Sequence, residues 1–329
     1  MPDPCTICMV CGSEKFKTLY PVRDTNQGVP GLWHIIACEN CDNGVLSPFP
    51  SNAEIGSFYR DLFYTDDGKR FRSWMESLRA TFATLRGVKL NKLLPARGRL
   101  LDFGSGAGHF AAAQAKAGWD VCSVDPYSAA SLNAASCRLT EESFELLYPD
   151  HHFDAVTLWY VIEHLRNPRM AIAEYNRVLK LGGLLVLAQQ DFASLQARVF
   201  GPNWLYLDPP RHLWQFTTKS ITRLAEEQGF EVVYTSWASI EMAPFCMLQS
   251  LLNMIVGNEN DLFHFLKNRK LPEVSNDSAG SRVRLWPTAI SIALLPVLGP
   301  LVLLVYFALL PFKSGDVVTV YLRKRRDIA

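Results

Sequence analysis

The stretch Arg99-Leu100-Leu101-Asp102-Phe103-Gly104-Ser105-Gly106-Ala107-Gly108-His109 decides the fold. Its first five residues read as a short apolar strand. Three glycines follow at alternate positions. A helix of small residues then runs from His109 to Ala117, and Gly118 stops it. Trp119 to Val124 reads as the next strand, with Asp125 at its end. Strand, glycine turn, helix, strand and acid, in that order, form the cofactor-binding half of a doubly wound parallel sheet.

The spacing separates two kinds of cofactor. A dinucleotide fingerprint has the form GxGxxG, whereas the third glycine here comes one residue early and an aspartate precedes the turn. Nothing in that arrangement favours a pyrophosphate. Asp102 is placed to hold a cationic amino group, the turn amides and helix start a carboxylate, and Asp125 the two hydroxyls of a ribose. S-adenosylmethionine, with an amino-acid end and a nucleoside end, satisfies all three.

Working outward, Phe153 to Trp159 reads as a buried strand, followed by Tyr160-Val161-Ile162-Glu163-His164-Leu165. A helix is expected over Pro168 to Leu179, a turn at Lys180-Leu181-Gly182-Gly183, and strands at Leu184 to Ala188, Phe230 to Thr235 and Val317 to Leu322. The order LLDFGSGAG, SVDP, FDAVTLWYVIEHL and RVLKLGGLLVL resembles a class I S-adenosylmethionine-dependent methyltransferase, and more closely the small-molecule branch that carries an N-terminal zinc ribbon. The resemblance extends from about Met9 to Lys324. It implies that Gly104, Gly106 and Gly108 cradle the methionine moiety, that Asp125 binds ribose, and that Glu141 or Glu142 lies near adenine. The chain departs from the family pattern at Leu181-Gly182-Gly183, where Pro-Gly-Gly is common, and at Gln189-Gln190-Asp191, where Pro-Asn is common. The expected architecture is α/β: a doubly wound, mostly parallel seven-stranded sheet with a zinc ribbon in front and a hydrophobic helical insertion before the last strand.

Methyl transfer is direct displacement at a sulfonium carbon, so the protein must align the acceptor and remove its proton. His212, in Leu207-Asp208-Pro209-Pro210-Arg211-His212-Leu213-Trp214, is the candidate base, because an imidazole titrates near neutrality. A histidine that pins the lid or lines the pocket is the alternative. Arg211 is a candidate partner for a phosphate or carboxylate on the substrate, or a solvated arginine. Trp204, Tyr206 and Trp214 are candidates for a substrate wall or for core. Glu163 and His164 fall beside the expected transfer point, where a helix cap competes with a substrate contact. His109 is expected to shape the cofactor pocket. His34, His151, His152 and His264 belong to no constellation.

Five of the eight cysteines fall within the first 41 residues. Cys8-x-x-Cys11-Gly12 and Cys38-x-x-Cys41 supply four thiolates, enough to surround a tetrahedral structural zinc at about 2.3 Å per bond. Cys5-x-x-Cys8 competes, but it lacks the trailing glycine, so Cys5 is read as spare. Clustered pairs without a secretory signal point to a reducing compartment.

Between the last two strands lies an insertion of about 80 residues. Within it, Leu285 to Phe312 are 28 consecutive uncharged residues. As one helix they would extend about 42 Å, beyond the ~30 Å hydrocarbon core of a bilayer. A single crossing would strand Val317 to Leu322 on the wrong side of the sheet. Pro296 and Gly299-Pro300 therefore suggest a helical hairpin with halves of about 20 Å, dipping into one leaflet or lying along it, the alternative being burial in a homodimer interface or against the domain itself. Arg282, Arg284, Lys313 and Arg323 to Arg326 would meet anionic headgroups. Residues 271–284 read as an exposed loop.

The domain reading is a zinc ribbon over 1–48, a helical cap over 49–94, a cofactor-binding core over 95–236, the insertion over 237–314, and a final strand with a basic tail over 315–329. With 49% hydrophobic and 20% charged residues, a disordered chain is excluded, and a formal net charge of +1 argues against nucleic acid as a partner. The expected activity is methylation of oxygen or carbon on a small or lipid-linked acceptor at the cytoplasmic face of a membrane. A soluble enzyme for a polar metabolite or sugar nucleotide, and a zinc-stabilised scaffold, are the alternatives.

Overall fold

The computed structural model describes residues 6–60, 73–125, 137–139, 144–257, 259–266 and 285–328. The N-terminal unit is an antiparallel sheet of β1 (Phe16–Val22), β2 (Trp33–Cys38) and β3 (Gly44–Ser47). Two helices follow, α1 (Asn52–Arg60) and α2 (Ser73–Leu93). The glycine loop lies between β4 (Arg99–Phe103) and α3 (His109–Lys116), and β5 (Asp120–Val124) completes the first βαβ unit.

Two short strands, β6 (Cys137–Leu139) and β7 (Phe144–Leu146), pair only with each other. β8 (Phe153–Trp159), α4 (Pro168–Val178) and β9 (Leu179–Gln190) come next. Asn167 caps α4, its side chain accepting from the Met170 amide at 3.0 Å, and Pro168 needs no donor in the first turn. Past β9 come α5 (Leu195–Phe200), the two-residue β10 (Trp214–Gln215), α6 (Thr218–Glu227) and β11 (Phe230–Ser236). The insertion contributes α7 (Ala243–Val256), α8 (Asp261–Leu266) and α9 (Leu285–Leu309). The last strand is β12 (Val317–Lys324).

The large sheet has the order β11-β12-β9-β8-β4-β5. β5, β4, β8 and β9 are parallel, and β12 runs antiparallel to both β9 and β11. Leu184, Leu185, Val186 and Leu187 of β9 are all fully buried, as a central strand covered on both faces requires. Each such side chain contributes about 1.5–3 kcal/mol on burial. Among the described residues the sheet has six strands, one fewer than expected, and β6 and β7 form a separate pair. That pair is held on the helix side. The Leu146 amide donates to Glu174 of α4 at 2.7 Å, and the Phe144 ring packs edge-on against Phe103 and Tyr175.

The ribbon is not a free appendage. β10 extends its sheet in the order β1-β2-β3-β10, with Trp214 opposite Val45. A ladder of buried amides ties the insertion to the same place. Gln249 donates to Asn253, Asn253 to Asn260, and Asn260 to Asn26, each at 2.8 Å, and Asn26 donates to Asp208. His264 adds a 2.7 Å contact to the carbonyl of Thr25. His264 thus has a structural constellation that its sequence neighbours do not announce.

The expected hairpin within Leu285 to Phe312 is not formed. α9 is continuous through Pro296 and Pro300. Each proline removes one backbone donor, and their spacing of four puts both on one helix face, so the helix tolerates them. The return to the sheet comes instead from α7 and α8, which pack against α9. Much of α9 faces outward: Val297 and Leu304 are two-thirds exposed, whereas Val302 and Tyr306 are buried. Trp286–Phe312 is long and apolar enough to cross a membrane, with only 11% of its most apolar window buried. Residues 271–284 lie outside the described residues.

Candidate active site

At the C-terminal ends of β4, β5 and β8 is a cavity of about 300 Å³. Asp102, Gly104, Gly106, His109 and Asp125 line one part of it, and His164, Tyr206, Asp208 and His212 another. The glycine loop is shaped by backbone need. Gly104, Gly106 and Gly108 all have positive φ. A Cβ on Gly104 would lie 2.3 Å from Val161, so only glycine permits the approach of the loop to the β8 end. The Gly106 amide donates to Asp125 at 2.9 Å, which fixes the acid beside the loop.

Asp102 is 1% exposed. One carboxylate oxygen accepts from Thr157 at 2.9 Å, while the other is buried with no partner. Burial pushes this carboxyl up to about 7, against the Thr157 hydrogen bond that lowers it. An orphaned carboxylate oxygen beside a glycine cradle fits an ammonium group, and the donor set fits S-adenosylmethionine: Asp102 for the amine, the glycine loop for the methionine end and Asp125 for the ribose. Arg86 of α2 closes the cavity, stacked over Trp159 and Tyr160 and bonded to Glu241 at 2.8 Å. Neither Arg86 nor Glu241 carries a sequence signal, since each reads as an ordinary charged position. Glu141 and Glu142 lie outside the described residues.

The other part of the cavity is built on two segments. Glu163 and His164 sit in a short 3₁₀ turn after β8, not at the start of an α-helix. His212 lies after the turn Asp208-Pro209-Pro210-Arg211. The His164 and His212 rings meet edge to face with centroids 4.6 Å apart. His164 Nδ1 donates to the carbonyl of Arg211 at 2.9 Å, and His212 Nδ1 to that of Tyr206 at 2.6 Å. Carbonyls only accept, so in the neutral rings the lone pair lies on Nε2. Burial, with the His212 charge second, lowers His164 to about 3; burial also lowers His212, against the opposing pull of Asp208. Glu163 is 1% exposed, and neither carboxylate oxygen has a hydrogen-bond partner. Gln190 is the nearby polar side chain, and burial raises the Glu163 carboxyl to about 7.

Three expected substrate contacts are employed elsewhere. Arg211 is 1% exposed, and its guanidinium holds Asp24 through two bonds of 2.7 and 2.9 Å while also gripping Asp208. Burial opposes the charge of Asp208, but the arginine overcomes it and holds that carboxylate well below its usual range. With its donors committed to these acids, Arg211 joins ribbon to core and does not face the cavity. Trp214 stacks on Phe216 and donates to the carbonyl of Leu165 at 2.8 Å. Trp204 is buried behind Tyr206 and borders a second cavity, between ribbon and insertion. Of the aromatic candidates, Tyr206 alone lines the active-site cavity.

Cys8, Cys11, Cys38 and Cys41 converge, with all four sulfurs within 4.8 Å of one another. Cys8 and Cys41 are 3.6 Å apart and Cys11 and Cys38 3.5 Å apart, close to the ~3.8 Å edge of a tetrahedron with ~2.3 Å bonds. Gly12 and Asp42, each just after a CxxC pair, take left-handed conformations that turn the two knuckles. The set could hold a metal ion. Cys5 lies outside the described residues.

A family model described as a methyltransferase domain matches residues 68–235, half of the chain. The chain belongs to this family. It is 35% identical over 110 residues to a demethylmenaquinone methyltransferase of Renibacterium salmoninarum, a match covering 32% of this chain and 44% of the relative. Identity to a ubiquinone biosynthesis O-methyltransferase of Bradyrhizobium is 27% over 167 residues, covering 46% of this chain and 65% of the relative. The chain thus spans about half the length of the curated relatives it matches. Among solved structures, a 1,6-didemethyltoxoflavin-N1-methyltransferase of Burkholderia thailandensis aligns over 94% of this chain and 100% of its own, at 12% identity and a TM-score of 0.45.

Proposed function

We propose that this methyltransferase moves the methyl group of S-adenosylmethionine to a small, quinone-like acceptor, at oxygen or carbon, beside a membrane. The observation that carries the reading is one cavity lined by Asp102, the glycine loop and Asp125 on one side and by His164, Tyr206 and His212 on the other. The names of the relatives, which act in menaquinone and ubiquinone biosynthesis, support a ring acceptor.

In this reading Asp102, Gly104, Gly106, Gly108 and Asp125 orient the cofactor. The methyl group is already activated there, so the protein's share is alignment and exclusion of water. His212 receives the acceptor's proton at Nε2, because Nδ1 is engaged by the Tyr206 carbonyl. Its lowered pKa keeps it neutral at pH 7, as a base must be. Tyr206 borders the ring of the acceptor. Zinc on Cys8, Cys11, Cys38 and Cys41 would hold the ribbon, and through β10 the segment that carries His212.

The exposed face of α9, with Trp286, Val297 and Leu304, and Phe312 just past its end, lies in this reading against the cytoplasmic face of a bilayer, where an acceptor with an apolar tail would enter. Labelled methyl transfer into host extract, followed by organic–aqueous partition, tests the reading. Label in the organic phase is expected. Label confined to the aqueous phase would favour a soluble enzyme for a polar metabolite, with α9 covered by a second copy. No transfer, together with no binding of S-adenosylhomocysteine, would leave only the scaffold reading.

A further inference from the structure

We infer that Glu163, His164 and His212 form a second metal site, distinct from the four cysteines, which binds a divalent cation where the acceptor's oxygen lies. One donor atom from each residue lies within 4.8 Å of the other two. Ligand bonds of about 2.1 Å allow donor separations up to about 4.2 Å, so a small side-chain adjustment closes the set. Two imidazoles and one carboxylate are a donor set for Mn, Fe, Co or Zn, and they leave coordination positions open.

Three independent features point to a ligand. Glu163 is a buried carboxylate with no cation beside it and no hydrogen bond of good geometry, Gln190 and its own amide being the only polar groups that steady its charge, an arrangement that costs stability unless something positive meets it. Both imidazoles place Nδ1 on a main-chain carbonyl, the outer contact that orients a metal-ligating histidine. His164 and His212 line the cavity that also holds Asp102 and the glycine loop. Arg211 does not compensate Glu163, because its guanidinium is taken by Asp24 and Asp208.

The inference rests on the methyl-transfer reading and deepens it. It selects acceptors that present one or two oxygen donors to the open positions. The acceptor's hydroxyl binds the cation through oxygen, and its proton leaves to solvent. The oxyanion's electron pair then forms the C–O bond as the C–S bond breaks, and the cofactor departs as a neutral thioether. With the cation bound, His212 is a ligand, and acidification of the hydroxyl takes the place of direct proton removal by the imidazole.

The test is titration of the full chain with Mn(II), followed by electron paramagnetic resonance. Mn(II) favours oxygen and nitrogen donors over the thiolates of the cysteine set. One bound ion is expected, weakened at least tenfold in Glu163→Gln and in His212→Ala and partly restored in Glu163→Asp. Retained binding of S-adenosylhomocysteine marks each variant as folded. Absence of bound Mn(II) in the native protein, or binding of native strength in both variants, would overturn the site. Methyl transfer at an undiminished rate after the cation is removed would also overturn it, while leaving the methyltransferase reading intact. Failure of transfer and of S-adenosylhomocysteine binding would strike that reading instead, and the Mn(II) titration would still decide the site.

Discussion

Two buried polar clusters meet on the same short segment, and they differ in completeness. In the first, Arg211 pairs with Asp24 and Asp208, and amides at 26, 27 and 29 fill the remaining lone pairs of Asp24. In the second, Glu163 keeps both oxygens unpartnered beside His164 and His212. The first is saturated by its own chain and serves to join ribbon, core and insertion. The second keeps its bonding capacity for something the chain does not supply. A fully partnered buried charge is a reason to look for assembly, and an unpartnered one is a reason to look for a ligand.

Breaking the saturated cluster has the larger expected effect on stability. Arg211→Met leaves two carboxylates buried without their cation and should cost about 3–5 kcal/mol, measured by denaturant unfolding. A loss below about 1 kcal/mol would mean the network is not a joint. The same assay on Glu163→Gln should give the opposite result. Removing an unpartnered buried charge at pH 8 should leave stability unchanged or raise it by roughly 1 kcal/mol.

The glycine-loop acid sharpens the contrast through pH. Asp102 is held near 7 by burial, against about 3.9 in an unfolded chain. Between those values the folded state binds the extra proton, so stability without cofactor should fall as pH rises from about 4 to about 7. Cofactor binding should respond in the other sense, because an ammonium needs the ionised acid. Calorimetry should show S-adenosylhomocysteine affinity rising several-fold from pH 6 to pH 8, with a flat profile in Asp102→Asn. The smallest stability effect is expected on α9. Leu304→Lys should change unfolding by no more than ~0.5 kcal/mol while reducing liposome binding. Unchanged liposome binding would argue for a protein partner on that face.

The sequence announces the parts that depend on local pattern. The glycine turn, Asp102, Asp125 and the two CxxC pairs follow from spacing, and the strand Phe153–Trp159 forms where its apolar run predicts. It does not announce which parts meet. Asp24, Asn26 and Asp208 look like turn residues, and only the fold turns them into a joint between segments about 180 residues apart. Arg211 reads as a substrate ligand because one of its two carboxylate partners, Asp24, lies 187 residues away in the chain. The hairpin expected at Pro296 fails for a related reason. Proline weakens a helix locally, yet α9 runs unbroken through Pro296 and Pro300, with α7 and α8 packed against it.

The most direct measurement combines S-adenosylhomocysteine titration and labelled methyl transfer on one preparation of His212→Ala. The account predicts cofactor-product binding within about twofold of the native protein and turnover lowered at least tenfold. Native turnover in that variant across the pH range, or loss of product binding with the fold intact, would contradict the assignment of His212 to the acceptor side of the cavity.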